Sequence, residues 1–371
     1  MIENIAAIRE ILNKDGVFYV ENADMSLYST IRTGGSAVLM IFPENEAELY
    51  AVCKIIKNYC PDFYIIGSAS NTLFKDGIIE LPIISLKNGF KYIYYDVNNI
   101  GKINDNASKI NKLDKINEVN NINEIRTSNA YAINNINEPC NKMMTGTTNK
   151  DNSDEKDNSN EKQNYCIVKA GAGVLLSKML NFSLKNNLEG FEFAYGIPGT
   201  VGGAVKMNAG SKESNIENII SSLDIITKYG EKFNFKKNKL KFSYRNLKIT
   251  DFNEDNYFIT GVEFLLKSST KNSIAEKMNL FKSRKMTQPL GERSLGCIFK
   301  NPEGHFAGKI IDDIGLKGSS KGDAAISEKH ANFIINKGNA KSSDILDLIS
   351  EISKAALKEK NIQLDTEIKI I

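Results

Sequence analysis

GFEFAYGIPGTVGGAVKMNAG, residues 190–210, is the stretch on which the fold turns. Six glycines, one proline and small Ala and Thr residues alternate there with apolar ones. Without Cβ atoms in the way, backbone amides along such a run can approach a large planar or phosphorylated ligand. A dinucleotide is the natural candidate. Composition alone fits equally well a set of glycine-rich turns inside a sheet, so the flanking sequence has to decide. Immediately upstream, YCIVKAGAG from Tyr165 reads as a strand entering a turn. It is followed by a helix with Leu176, Met179, Leu180 and Leu184 on one side and Gly190 beyond its end. GAGVLL at Gly171 starts like a dinucleotide fingerprint, but Leu176 stands where its third glycine belongs, so a separate NAD domain is not implied.

Further upstream the alternation of element types is of the α/β kind. Ile5, Ile8, Ile11 and Leu12 share one helical face, and VFYV after Gly16 alternates like a strand. Leu49, Val52, Cys53 and Ile56 mark a second helix, opened by Asn45 and Glu48 in the spacing of a capping box. That helix runs into the strand FYII, which ends at Gly67 in the loop GSASN. A strand followed by such a loop is the usual geometry of a phosphate-binding turn. Downstream, strands are expected at 222–227 and 257–265, a helix around Lys277, and a long helix with Ile345, Leu348, Ile349, Ile352 and Ala356 in one stripe. The chain then finishes in EIKII, a short strand.

Between about Lys91 and Gln163 the composition shifts to Asn, Lys, Ile, Asp and Ser, running into TGTTNKDNSDEKDNSNEKQN. Too few large apolar residues remain there for a core, and a disordered insertion is expected. The resulting division is 1–90, a first ligand-binding subdomain; 91–163, the insertion; 164–269, a second subdomain; and 270–371, a C-terminal α/β domain.

Composition narrows the chemistry. The chain has 371 residues, enough for two or three modest cores. Its 48 basic against 45 acidic residues leave a formal charge of +3, too small and dispersed for a nucleic-acid footprint. No run approaches the ~18 apolar residues that cross a bilayer, and Glu3, Arg9 and Glu10 interrupt any signal-peptide core. Five cysteines, Cys53, Cys60, Cys140, Cys166 and Cys297, are odd in number and form no C-x-x-C pair, which speaks for a reducing, cytoplasmic compartment. With only two histidines, His305 and His330, a histidine-based metal site or Ser-His-Asp triad has little raw material, and no metal is expected. His330, beside apolar residues in KHANF, reads as a core-ordering residue.

The order of the motifs carries a resemblance. GIPGTVGGAVKMNAG is similar to the flavin-binding signature of the UDP-N-acetylenolpyruvoylglucosamine reductase family. YSTIRTGGSA (28–37) resembles that family's N-terminal element, and IGSASNTLFKDG (66–77) its loop for the FAD pyrophosphate. FSYRNL (242–247) resembles its Tyr-Arg element and SLGCIFKNP (294–302) its S-A-G-S-x-F-K-N-P element. GLKGSSKGDAAISEKHANFIIN (315–336) and the terminal LDTEIKII complete the series. Seven ordered motifs are far more specific than any one. The short run from Arg245 to Cys297 resembles the compact subtype of the family.

What the resemblance implies is an α/β (α+β) protein: a two-subdomain FAD-binding region of the vanillyl-alcohol-oxidase-like type plus a C-terminal substrate domain. The implied reaction reduces UDP-N-acetylglucosamine enolpyruvate to UDP-N-acetylmuramate, with FAD and NADPH as cofactors. Arg245 would pair with the substrate carboxylate. Glu367, protonated, would donate to the same carboxylate. Cys297, where many members carry serine, would supply the proton. FAD would be gripped by Gly67, Ser68, Ala69, Ser70 and Asn71, and by Gly196, Ile197, Pro198, Gly199, Gly202, Gly203 and Ala204. Tyr244, Arg284, Gln288, Lys300 and Asn301 would contact substrate. Ser68 and Ala69 stand where glycine is usual, and a Cβ there is expected to narrow the approach to the pyrophosphate and weaken FAD binding. The implied enzyme is a cytoplasmic monomer that takes the sugar nucleotide and has no nucleic-acid or membrane partner.

Overall fold

The structure is a computed structural model, and it describes residues 5–95, 165–254 and 256–371. The described residues contain three larger sheets and two two-stranded ones. The first is mixed. Phe18–Asp24 pairs antiparallel with Ser36–Phe42, which is flanked in parallel by Ile83–Ser85 and then Tyr64–Ile66. The helices Ile5–Lys14 and Glu46–Tyr59 join its core through Ile8, Leu12, Leu49, Val52, Ile55 and Ile56. Asn45 caps the second helix as its spacing predicts: its Oδ1 accepts from Glu48 N–H at 3.0 Å, while the Glu48 carboxylate accepts from Glu44 N–H at 2.8 Å.

The second sheet is antiparallel, in the order Lys232–Lys236, Ile220–Thr227, Tyr257–Ser268, Tyr165–Gly171, Ile93–Tyr95, with Leu188–Glu189 on the end of the Tyr257 strand. Its apolar residues, among them Val168, Leu223, Ile225, Val262 and Phe264, close over the helix Leu176–Lys185 and form the largest core. Ile93–Tyr95 falls inside the segment expected to be an insertion, so ordered structure runs five residues past the expected boundary at 90. The remainder of that segment lies outside the described residues, as does Cys140.

The third sheet carries Ser294–Cys297, Phe333–Asn336, Ala324–Ile326 and Ser320–Lys321, antiparallel throughout. The helices Ala307–Asp313 and Ser342–Lys360 cover it, the longer one burying Ile345, Leu348, Ile349, Ile352 and Ala356 as its stripe predicts. The chain then leaves this unit. Lys369–Ile370 adds in parallel to Thr72–Leu73, just past the GSASN loop. The C-terminus is thereby fastened to the first unit, and that return places residues from three regions of the sequence around one cleft.

Candidate active site

Two loops form one side of the cleft. Gly67 and Thr200 meet so closely that a Cβ on Gly67 would lie 2.5 Å from Thr200 Oγ1. Ser70 Oγ donates to Pro198 C=O at 3.0 Å, tying GSASN to GIPG. Gly196 and Gly199 have φ of +67° and +143°, a turn that disfavours side chains. A Cβ on Gly199 would meet only the hydroxyls of Ser70 and Ser68, at 3.4 and 3.9 Å. Thr200 opens the helix Val201–Lys206, and its side chain accepts from Gly203 N–H.

The signature residues divide by what they touch. Gly202 N–H donates to Ala172 C=O at 2.9 Å, and its Cα lies too near Ala172 for a side chain. Ala204 is buried in the second core, and Ile197 packs against that core. These three hold the loop against the sheet. Gly199 and Gly203 have no backbone packed against them: a Cβ on either would meet only side-chain hydroxyls. Asn71 serves the scaffold too: its Nδ2 donates to Glu367 C=O at 3.2 Å and its own C=O accepts from Lys369 N–H at 2.9 Å.

The side chains at 68 and 69 are placed differently from each other. Ala69 sits at φ +48° with its methyl turned into the apolar cluster of Met25, Ile66 and Phe74. Ser68 Oγ is buried without a hydrogen-bond partner among the described residues. An orphaned hydroxyl beside a cradle of glycine backbone suits a phosphate oxygen, because burying it unpaired costs free energy that an anion would offset. The residues present therefore fit FAD.

Opposite the loops lies a charged cluster. Arg245 Nε donates to Glu367 Oε1 at 2.6 Å and Tyr244 Oη donates to Glu367 Oε2 at 3.0 Å. Arg245 Nη1 also donates to Gly210 C=O at 3.2 Å, which fixes the guanidinium at the end of the signature stretch. Arg245 itself is at φ +57°, the turn between the strands Leu240–Ser243 and Asn246–Ile249. Burial works against the Arg245 charge, but the Glu367 carboxylate outweighs it and holds the guanidinium above its usual pKa. Burial, with the Glu367 charge added, pushes the Tyr244 phenol up to about 12. Glu367 thus accepts two hydrogen bonds here, one on each carboxylate oxygen.

Cys297 ends its strand beside this pair. Burial foremost, then the nearby Glu367 charge, pushes its thiol up to about 11. The thiol keeps its proton at neutral pH. Asn301 Oδ1 accepts from Ala307 N–H at 3.0 Å, leaving its amide nitrogen to face outward. Lys300 is anchored through its backbone N–H to Asp365 C=O at 2.8 Å. Arg284 is exposed and pairs with the equally exposed Glu213 at 3.2 Å, so it stands at the rim rather than in the cluster. Gln288 accepts from Lys285 Nζ at 3.1 Å.

Lys285 is a residue that sequence reasoning missed. Burial lowers its pKa, with Cys297 and Arg245 among the charges that act on it, and its stem lies against Gly196. The signal was present in RKMTQPL, between Arg284 and Gln288, but nothing in that string tells which basic residue turns inward. Among the described residues no group of His, Cys, Asp and Glu could hold a metal ion. His330 accepts from Asn332 N–H at 3.2 Å and packs edge-on to Phe333, a structural placement.

Comparison with known proteins agrees with this geometry. Residues 288–371 match the UDP-N-acetylenolpyruvoylglucosamine reductase C-terminal domain, and residues 155–236 match an FAD binding domain. The chain is 33% identical over 365 residues to the UDP-N-acetylenolpyruvoylglucosamine reductase of Clostridium novyi, covering 98% of this chain and 95% of that one. The enzyme of that name from Clostridium tetani is 44% identical over 205 residues, 54% of this chain and 65% of the other. A crystal structure of the Thermus caldophilus enzyme superposes with a TM-score of 0.65 at 25% identity, covering 95% of this chain and 98% of that one. Near-complete coverage at this identity, together with a cradle that fits FAD, establishes that the chain belongs to the UDP-N-acetylenolpyruvoylglucosamine reductase family and is an FAD-dependent oxidoreductase.

Proposed function

We propose that the chain reduces UDP-N-acetylglucosamine enolpyruvate to UDP-N-acetylmuramate, a step of peptidoglycan precursor synthesis, with NADPH as the reductant. Held by the GSASN and GIPG loops, FAD would supply hydride chemistry at the terminal vinyl carbon. Negative charge then develops on the adjacent carbon and its carboxylate, and the protein must hold that charge and quench it. Arg245, fixed by Gly210 C=O, offers a planar guanidinium to the carboxylate. Glu367 keeps the guanidinium charged and aimed, and Tyr244 steadies Glu367 from the other oxygen. Cys297 Sγ gives its proton to the carbanion carbon, and the thiolate left behind regains a proton from solvent. Lys285 stands near enough to act on that thiol electrostatically. Gln288, Lys300, Asn301 and, from the rim, Arg284 serve the sugar and diphosphate.

The observation that carries this reading is the convergence of a fixed arginine, a carboxylate and a protonated thiol beside the flavin cradle. The division at 1–90, 164–269 and 270–371 belongs to the proposal: each unit carries most of its own core, while Ile31 and Leu73 pack into the core of the third sheet and Ile274 and Met278 into that of the second. So do a monomeric state, a cytoplasmic location and the lack of membrane or nucleic-acid partners, the last supported by the small net charge. No helix among the described residues is long and apolar enough to cross a membrane.

The test is anaerobic absorbance. NADPH should bleach the flavin band, and the enolpyruvyl substrate should restore it. Cys297→Ala should slow the recovery by about 10²–10⁴-fold, the range of one general acid, and Cys297→Ser should retain much of it. Bleaching with no substrate-dependent recovery would instead indicate an oxidase of another substrate.

A further inference from the structure

We propose that Asn332 is a positioning residue for this reaction, setting the place of Cys297 and Glu367 together through the backbone between them. The inference rests on the proposed role of Cys297 as proton donor.

The strand that ends at Cys297 is poorly held by its own ladder. It pairs with Phe333–Asn336 only at Ser294↔Ile335 and Cys297↔Phe333, with an irregularity between. Gly296 in that gap has φ +79°. Beyond Cys297 the partner chain turns away at His330, so a regular ladder cannot continue. Asn332 takes the ladder's place. Its C=O accepts from Ile298 N–H at 2.9 Å. Its side-chain Oδ1 accepts from Phe299 N–H at 2.9 Å, and its Nδ2 donates to Phe299 C=O at 2.8 Å. One side chain thus supplies both bonds that a neighbouring strand would make, and it also reaches the Cys297 thiol directly.

The opposite edge of the same segment carries Glu367. Ile298 C=O accepts from Glu367 N–H at 2.7 Å, Lys300 N–H donates to Asp365 C=O at 2.8 Å, and Phe299 bridges Thr366. Residues 298–300 are therefore clamped between Asn332 and the Glu367 strand, with Cys297 at their head. Asn332 is 2% exposed, which strengthens its three bonds and makes their loss costly. Its own orientation is set from behind, where its N–H donates to His330 Nδ1. An amide at this point is more than core filling, since an apolar residue would leave the Phe299 N–H and C=O unpaired.

The experiment compares the two half-reactions of FAD-loaded Asn332→Asp, which keeps size and one acceptor but loses the donor to Phe299. Recovery of the flavin band on adding enolpyruvyl substrate should slow by about 10- to 100-fold, the cost of a small misplacement. Bleaching by NADPH should stay within about twofold of the parent, because the Phe299 clamp serves proton delivery and not hydride entry. In a Cys297→Ala background the same change should cost clearly less than in the parent, since one of the two groups it positions is gone. Equal slowing of both half-reactions, or full additivity with Cys297→Ala, would overturn the proposal. If Asn332→Asp does not fold, Asn332→Ser, with a shorter donor and acceptor, gives the same readings. Should Cys297→Ala itself leave recovery untouched, the proton-donor reading fails. Should it slow recovery while both Asn332 variants do not, that reading stands and the positioning role falls.

Discussion

Ser68 and Ala69 show how a single position can be misjudged when only its size is read. Both bring a Cβ to a loop where glycine is usual. Ala69 accommodates its methyl by adopting φ +48° and turning the methyl into the core, a conformation that costs an L-residue roughly 1–2 kcal/mol. Ser68 contributes a hydroxyl where glycine offers none, and its Oγ is buried and unpartnered among the described residues. The expected outcome is opposite to a weakened site. Ser68→Ala should leave the thermal midpoint of the FAD-free protein unchanged or slightly raised, since an unsatisfied polar atom is removed. FAD affinity should fall by about 10-fold or more, from the ~1.5–3 kcal/mol of a hydrogen bond to a charged group. Fluorescence titration with FAD reads the second effect. Unchanged affinity would mean that the hydroxyl points away from the cofactor.

At the scale of elements, the periodic segments were readable and the joins were not. The helix Glu46–Tyr59 was legible because Asn45 and Glu48 sit at cap spacing and its apolar residues repeat at helical intervals. Ile345 to Ile352 announced the long C-terminal helix in the same way. By contrast, EIKII reads as a strand without saying which strand it joins. Its partner, Thr72–Leu73, lies about three hundred residues away in sequence, and pairing of that range leaves no local signal. The Asn332 clamp was hidden for a similar reason: a lone asparagine in HANF has no pattern, and its partners appear only once Phe299 is beside it. The motif resemblance supplied Arg245, Glu367 and Cys297, which no periodicity could have brought together. A prediction belongs to this scale. Deleting Lys369–Ile371 removes the parallel pairing and the bonds to Asn71, Leu73 and Lys75. Glu367 then keeps its backbone bonds to Ile298 and Asn71 and its side-chain bonds to Arg245 and Tyr244, but loses the strand that anchors it beyond, and turnover should drop by about 100-fold. Undiminished turnover would show that those remaining bonds alone fix Glu367.

The whole molecule consists of separate cores that share one cleft, so its stability is set by the interiors and its activity by how they are fastened. One of those interiors carries a titratable weakness. Cys53, on the helix Glu46–Tyr59, and Cys60, at its end, lie in the core, 4% and 7% exposed, and burial pushes each thiol up to about 11 from its ordinary 9.0. A folded-state pKa above the unfolded one means that the native protein holds more protons between those two values. The stabilisation is therefore complete below about pH 9 and is lost as pH climbs towards 11. Each thiol contributes a slope of about 1.4 kcal/mol per pH unit within that window. The thermal midpoint should stay level from neutral pH to the lower edge of the window and then fall steeply. Other groups titrate in the same range, and substitution separates them: the double variant Cys53→Ala, Cys60→Ala should start less stable, because two buried side chains are trimmed, yet lose less between the two pH values. Parallel curves for parent and variant would mean that the thiols ionise without opposition from the core, and that the alkaline loss arises from lysines and tyrosines at the surface.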